Sequence, residues 1–201
     1  MKYYAVKAGI NPGIYKSWEE CKQNIDGIKG AKYKSFPTLA DAESWLEDEN
    51  YVETELNAEL EAGFIAAFCD GSFSADKKRY SYGVLIIGKN IKPVALRGYG
   101  DDPECVEARN VAGEVLGALA AMDWAVRHGY KRLVLHHDYE GIAAWAQGRW
   151  AVNSPSAKMY KENYNTLFRD VLSVSFKKVK GHSGNKFNDR ADLLAKSALD
   201  L

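Results

Sequence analysis

From residue 64 to residue 199 the apolar residues recur with strand and helix periods in the order βββαβααβα. FIAAFCD is an apolar strand. YSYGVLIIG and KPVALRGYG follow as two more, joined by a Gly/Asn turn that suggests an antiparallel hairpin. The longest helical pattern covers 110–128, and a short apolar strand covers 132–137. Helical stretches at 139–147 and 157–172 are separated by a break at 153–155. A strand at 173–180 and a helix at 188–199 close the chain. Such an order folds as α/β, with a five-stranded mixed sheet flanked by helices.

Four acidic residues break this pattern where a carboxylate is costly: Asp70, Glu114, Asp138 and Asp192. Buried carboxylates are tolerated when paired, hydrogen-bonded or bound to metal. Asp70 is expected to end the first strand, where Asp-Gly-Ser turns the chain, and Asp138 to end the fourth. Strand ends at a reversal of connectivity bring such residues together. Glu114 sits early in the long helix and Asp192 in the last one. Four converging carboxylates make a hard-oxygen cage suited to Mg²⁺. Two such ions about 4 Å apart can activate water and stabilise the leaving oxygen of a phosphodiester. Taken singly, each residue has a plainer role. Asp70 could cap a turn, Glu114 could be solvated, Asp138 could cap the next helix, and Asp192 could pair with Arg190 or Lys196.

The region before residue 63 is different. Residues 2–7 and 31–36 are strand-like, Ser17 and Glu20 have capping-box spacing, and LADAESWLEDE is amphipathic behind Thr38. Charge is strongly segregated. Residues 1–36 hold seven Lys against three acidic residues, and residues 37–62 hold nine acidic residues with no Lys or Arg. Residues 63–201 hold 20 basic and 15 acidic residues. Two basic blocks thus flank an acidic stretch, read as a linker with some helix. The expected division is a small α/β module at 1–49, a linker at 50–62 and a second domain at 63–201.

Composition excludes several classes. No apolar run is long enough to span a membrane, and the N-terminus lacks the apolar core of a signal peptide. The three cysteines, Cys21, Cys69 and Cys105, have no metal-ligand spacing and fit free thiols in a reducing, cytoplasmic setting. Cys69 reads as a small buried filler beside Asp70. A monomer with no protein partner is expected.

FCDGSF, the helical Gly-Glu, LHHD and VKGHSGNKFNDRAD, in this order, resemble the four active-site motifs of type 1 ribonuclease H. The resemblance covers about residues 62–201 and implies hydrolysis of the RNA strand of RNA–DNA hybrids. By it, Asp70, Glu114, Asp138 and Asp192 hold two Mg²⁺ ions, with Mn²⁺ as an alternative. Asp70 and Asp138 bridge or anchor the metals, Glu114 faces the attacking side and the substrate 2′-OH, and Asp192 completes the second site. His182 matches a mobile histidine that assists proton transfer and product departure. Gly71, Ser72 and Asn110 would read the 2′-OH, and contacts to sugar and phosphate imply little base preference.

Residues 1–49 resemble the hybrid-binding domain found ahead of many cellular ribonucleases H, through YAV-x₂-G, G-x-Y-x₂-W-x₂-C and AKYKSF. By this resemblance Trp18, Tyr33 and Phe36 pack against the nucleic acid, and Lys32 and Lys34 take phosphates. The alternative for Trp18 and Phe36 is a place in a small core. The chain also departs from the family. It has Arg109-Asn110-Val111 where Thr-Asn-Asn is frequent, Tyr139-Glu140 after Asp138 where a small hydroxyl residue is common, Ser35 in place of a further Lys, and only a short, weakly basic segment between the helices. Two rivals follow: a hybrid-binding protein with a dead second domain, and an integrase-type nuclease. The intact carboxylate set argues against the first, and the short chain with its N-terminal module against the second.

Overall fold

A computed structural model describes residues 2–28, 30–179 and 185–200, with side chains 47–55 excepted. The chain divides into two compact units, residues 1–55 and 56–201.

In the first unit, β1 (Tyr3–Ala8) lies between β2 (Gly13–Tyr15) and β3 (Lys32–Phe36), both antiparallel to it. β2 is a three-residue strand that is not among the expected elements. α1 (Trp18–Ile25) starts at the expected capping box: Ser17 Oγ accepts from the Glu20 amide, and the Glu20 side chain accepts from the Ser17 amide. α2 (Leu39–Glu61) begins behind Thr38, whose hydroxyl accepts from the Asp41 amide. It continues unbroken for 23 residues, through most of the stretch expected as linker. The nine carboxylates of 37–62 include few helix breakers, and Glu, Leu and Ala are strong helix formers. Its last residues, 56–61, belong to the second unit.

The second unit is a mixed sheet in the order β6-β5-β4-β7-β8. β4 (Ile65–Ser74), β5 (Arg79–Ile87) and β6 (Val94–Gly100) form an antiparallel meander. β7 (Arg132–His137) runs parallel to β4, and β8 (Ser173–Lys178) parallel to β7. α3 (Pro103–Val106) is a short addition to the expected order, started by an Asp102 cap. α4 (Asn110–Arg127) packs on one face of the sheet through Val115, Ala118, Met122 and Ala125. α5 (Gly141–Ala146) and α6 (Pro155–Asn163) follow, and a π-helical turn at Tyr164–Phe168 ends the helical run after α6. α7 (Lys186–Ala198) covers the opposite face over β4 and β5. It approaches closely because Gly83 has no side chain: a Cβ there would lie 2.1 Å from the Ala191 carbonyl oxygen. The three cysteines are free and buried, and Cys69 is the expected core filler.

Candidate functional site

β4 does not end at Asp70. It runs four residues further, to Ser74, because β5 pairs with it residue for residue from Gly71 to Ser74. Asp70 therefore stands in mid-strand. Its neighbour is the parallel strand β7, which stops at His137 and leaves Asp138 just past its end. Glu114 comes from the second turn of α4, where close approach of helix to strand is required. A Cβ on Gly113 would lie 2.0 Å from the Ser81 carbonyl oxygen, and one on Gly71 would lie 2.2 Å from that of Asn110. With two glycines facing each other, the Gly71 amide donates to Glu114 Oε1 at 3.1 Å and to Asp70 Oδ1 at 2.8 Å.

The outcome is a cage of three carboxylates. Asp70, Glu114 and Asp138 each present an oxygen within 4.8 Å of the others. Glu114 is 1% exposed and Asp70 7%. Burial, then the nearby charges of Asp138 and Asp192, push the Asp70 carboxyl up to about 6. Burial and the adjacent Asp138 push Glu114 well above the ordinary carboxylate range. Glu114 Oε2 is buried and accepts no hydrogen bond among the described residues. Like charges so crowded are stable when a cation sits among them. All the donors are hard oxygens, so the residues present fit a divalent ion of the Mg²⁺ class.

Asp192 is outside this close set. It lies in the middle of α7, near enough to raise Asp70, and its Oδ2 accepts from Lys196 Nζ at 2.7 Å, the helix pairing open to it from sequence. His182 lies outside the described residues. Gly71 and Ser72 continue β4 beyond Asp70, and Asn110 opens α4 as an exposed residue beside Gly71. Arg109, the residue ahead of it, is held at φ 51°, a left-handed conformation unusual for a side-chain-bearing residue.

Sequence reading missed Asn188. It is 2% exposed in the first turn of α7, and its Nδ2 donates to Asp70 Oδ2 at 3.3 Å. The signal was there: an Asn in helical register with the apolar positions Ala191 and Ala195 must be buried, and a buried amide needs a partner.

In the N-terminal unit the candidate residues divide between two faces. Strand alternation puts Tyr33 on the opposite side of β3 from Lys32, Lys34 and Phe36. Trp18, 39% exposed, lies tilted against Tyr4 and Tyr33, each 5.7 Å between ring centroids. Phe36, half-buried, packs on Trp45 of α2 at 5.6 Å, while Lys34 Nζ lies 5.6 Å from the Phe36 ring.

A carboxylate cage in mid-sheet, with helices on both faces, defines a ribonuclease H-like fold. The family profile described as RNase H matches residues 63–200, and that described as the ribonuclease H1 N-terminal domain matches residues 2–46. The chain belongs to the ribonuclease H family. It is similar to ribonuclease H1 of Homo sapiens, with 22% identity over 96% of this chain and 88% of that protein. The match to ribonuclease H of Saccharomyces cerevisiae is 46% identical but spans only 24% of this chain and 14% of the yeast protein. The crystal structure of RNase H1 from the halophilic archaeon Halobacterium salinarum shares the fold, with TM-score 0.54 and 23% identity over 68% of this chain and 97% of that one.

Proposed function

We propose that this protein cuts the RNA strand of RNA–DNA hybrids endonucleolytically, with two Mg²⁺ ions and little base preference. The observation that carries the reading is the buried, mutually repelling trio of Asp70, Glu114 and Asp138. Such a trio is costly to keep without a cation to hold. Metal ions bound there would supply an activated water and charge stabilisation for the leaving oxygen. Asp70, Glu114 and Asp138 would hold them, with Asp192 nearby as a further ligand once freed from Lys196. The Gly71 amide fixes both Asp70 and Glu114, so the cage is oriented before substrate arrives. Gly71, Ser72 and Asn110 would read the 2′-OH, and His182 would assist product departure. The N-terminal unit would add hybrid affinity through Trp18, Tyr33, Lys32 and Lys34. The protein acts as a monomer in the cytoplasm in this reading.

The test is incubation of labelled RNA–DNA hybrid, double-stranded RNA and double-stranded DNA with the full chain, in Mg²⁺ and in chelator, beside Asp70→Asn. Cutting of the hybrid's RNA strand alone, lost in chelator and in the variant, is expected. Tight hybrid binding with no cutting at any Mg²⁺ or Mn²⁺ concentration would sink the reading.

A further inference from the structure

Glu59 is an acidic residue in the second unit for which neither the cage nor the nucleic-acid contacts have a use. It sits in the last turns of α2 with 12% of its side chain exposed. Its Oε2 faces His136 Nε2 at 3.5 Å, and its Oε1 is ion-paired with Lys177 Nζ. His136 and Lys177 are register partners on β7 and β8, and Phe68 is the partner of His136 on β4. Phe68 stacks on the His136 ring at 4.1 Å between centroids and meets Phe187 of α7 at 5.0 Å.

These residues form one row across three strands. Side chains two apart on a strand share a face, spaced by about 6.6 Å. Phe68 is two residues ahead of Asp70, and His136 is two residues ahead of Asp138. The row is therefore the floor below the carboxylates, closed by Phe187 at one end and Glu59 at the other. The end of α2 is tied down around it: Arg132 donates to the Ala62 carbonyl. Asp138 follows β7 directly and has no strand pairing among the described residues, so its position depends on where that strand is held.

We propose that Glu59 is a positioning residue for the metal cage, holding β7 and β8 together through His136 and Lys177 and so fixing Asp138 against Asp70. This rests on the ribonuclease reading above. It gives the acidic stretch ahead of the nuclease domain a role beyond connecting two modules: its last turns are part of the active-site scaffold.

The test uses the full chain with Glu59→Gln, which keeps the shape and removes the charge, Glu59→Asp, which keeps the charge, and Glu61→Gln as a control on the same helix. Three quantities are read: kcat and KM on hybrid, Mg²⁺ affinity by calorimetry without substrate, and amide hydrogen exchange in β7 and β8. Glu59→Gln is expected to lower kcat about tenfold with KM changed by less than about twofold. It should weaken Mg²⁺ several-fold and speed exchange in both strands. Glu59→Asp should recover part of each, and Glu61→Gln should match wild type. Unchanged kcat and Mg²⁺ affinity in a Glu59→Gln protein that merely melts earlier would make Glu59 a structural staple and overturn the proposal. Should that variant fail to fold, Lys177→Met removes the same ion pair from a partly exposed position and is read the same way. A wild type that cuts no hybrid would overturn the ribonuclease reading; Mg²⁺ affinity and exchange would then still decide the role of Glu59, unchanged values in the variant refuting it.

Discussion

Asp70 bears opposing demands of stability and chemistry, and its titration measures them. Its folded carboxyl is raised from the usual 3.8 to about 6. Between those values the folded protein binds more protons than the unfolded one, so stability falls as pH rises through that window and stays lower above it. Asp70→Asn removes this titration. In chelator at about pH 7.5 the variant should be more stable than wild type by about 1–3 kcal/mol, and near pH 3.5 the two should be about equal. The amide can keep the Gly71 bond through its oxygen, and Asn188 can turn its own amide to accept. Adding Mg²⁺ should raise wild-type stability by mass action and leave the variant almost unmoved. Denaturant melts across pH, with and without Mg²⁺, check both; a variant less stable than wild type at neutral pH would show that the crowding of charge is already relieved without metal. Asn188 is the complementary residue. Asn188→Ala leaves Asp70 Oδ2 without its donor, and kcat should fall about 10–100-fold with little change in KM. Steady-state kinetics with an unchanged kcat would remove Asn188 from the site.

Elements differ in how openly the sequence announces them. The helix α1 was legible because its capping box is a local signal, complete within Ser17–Glu20 geometry. The order of strands and helices in the second unit was legible from periodicity. The carboxylates could be singled out because each interrupts an apolar run. What was not legible depends on partners distant in sequence. β4 continues past Asp70 because β5 is there to pair with it, against the local turn signal of Asp-Gly-Ser. α2 continues through acidic residues that read as solvated linker, its end anchored by His136, Lys177 and Arg132. Glu59 and Asn188 acquire roles only through residues some 80 to 120 positions away. The α4–β4 contact is the element that most directly sets the cage. Gly113→Ala would drive a methyl group into the Ser81 carbonyl and press α4 off the strand. Destabilisation of about 1–3 kcal/mol is expected, since neither contacting backbone can give way cheaply. Because Glu114 is the next residue, activity should fall further than stability explains. An unfolding curve and a kcat both close to wild type would mean the helix tolerates the shift.

At the scale of the whole molecule, the basic blocks 1–36 and 63–201 flank an acidic stretch in sequence, and net charge is zero. Affinity for a polyanion must then come from local patches, not from the overall field. The first unit offers two kinds of contact on two faces of β3: Lys32 and Lys34 on one, and the Trp18–Tyr33 pair on the other. Their contributions separate by salt. Each phosphate neutralised by a lysine adds close to one unit to the slope of log affinity against log salt, whereas stacking adds none. Replacing Lys32 and Lys34 with Ala together should weaken hybrid binding at low salt and flatten that slope by about 2. Trp18→Ala should weaken binding by about 1–3 kcal/mol and leave the slope unchanged. Neither should lower kcat at saturating hybrid, because the cage lies in the other unit. Fluorescence binding titrations at several salt concentrations distinguish the two. A slope unmoved by the lysine pair would assign phosphate contact to other residues, and a slope that falls with Trp18→Ala would mean the aromatic pair orders a lysine and does not stack on the nucleic acid.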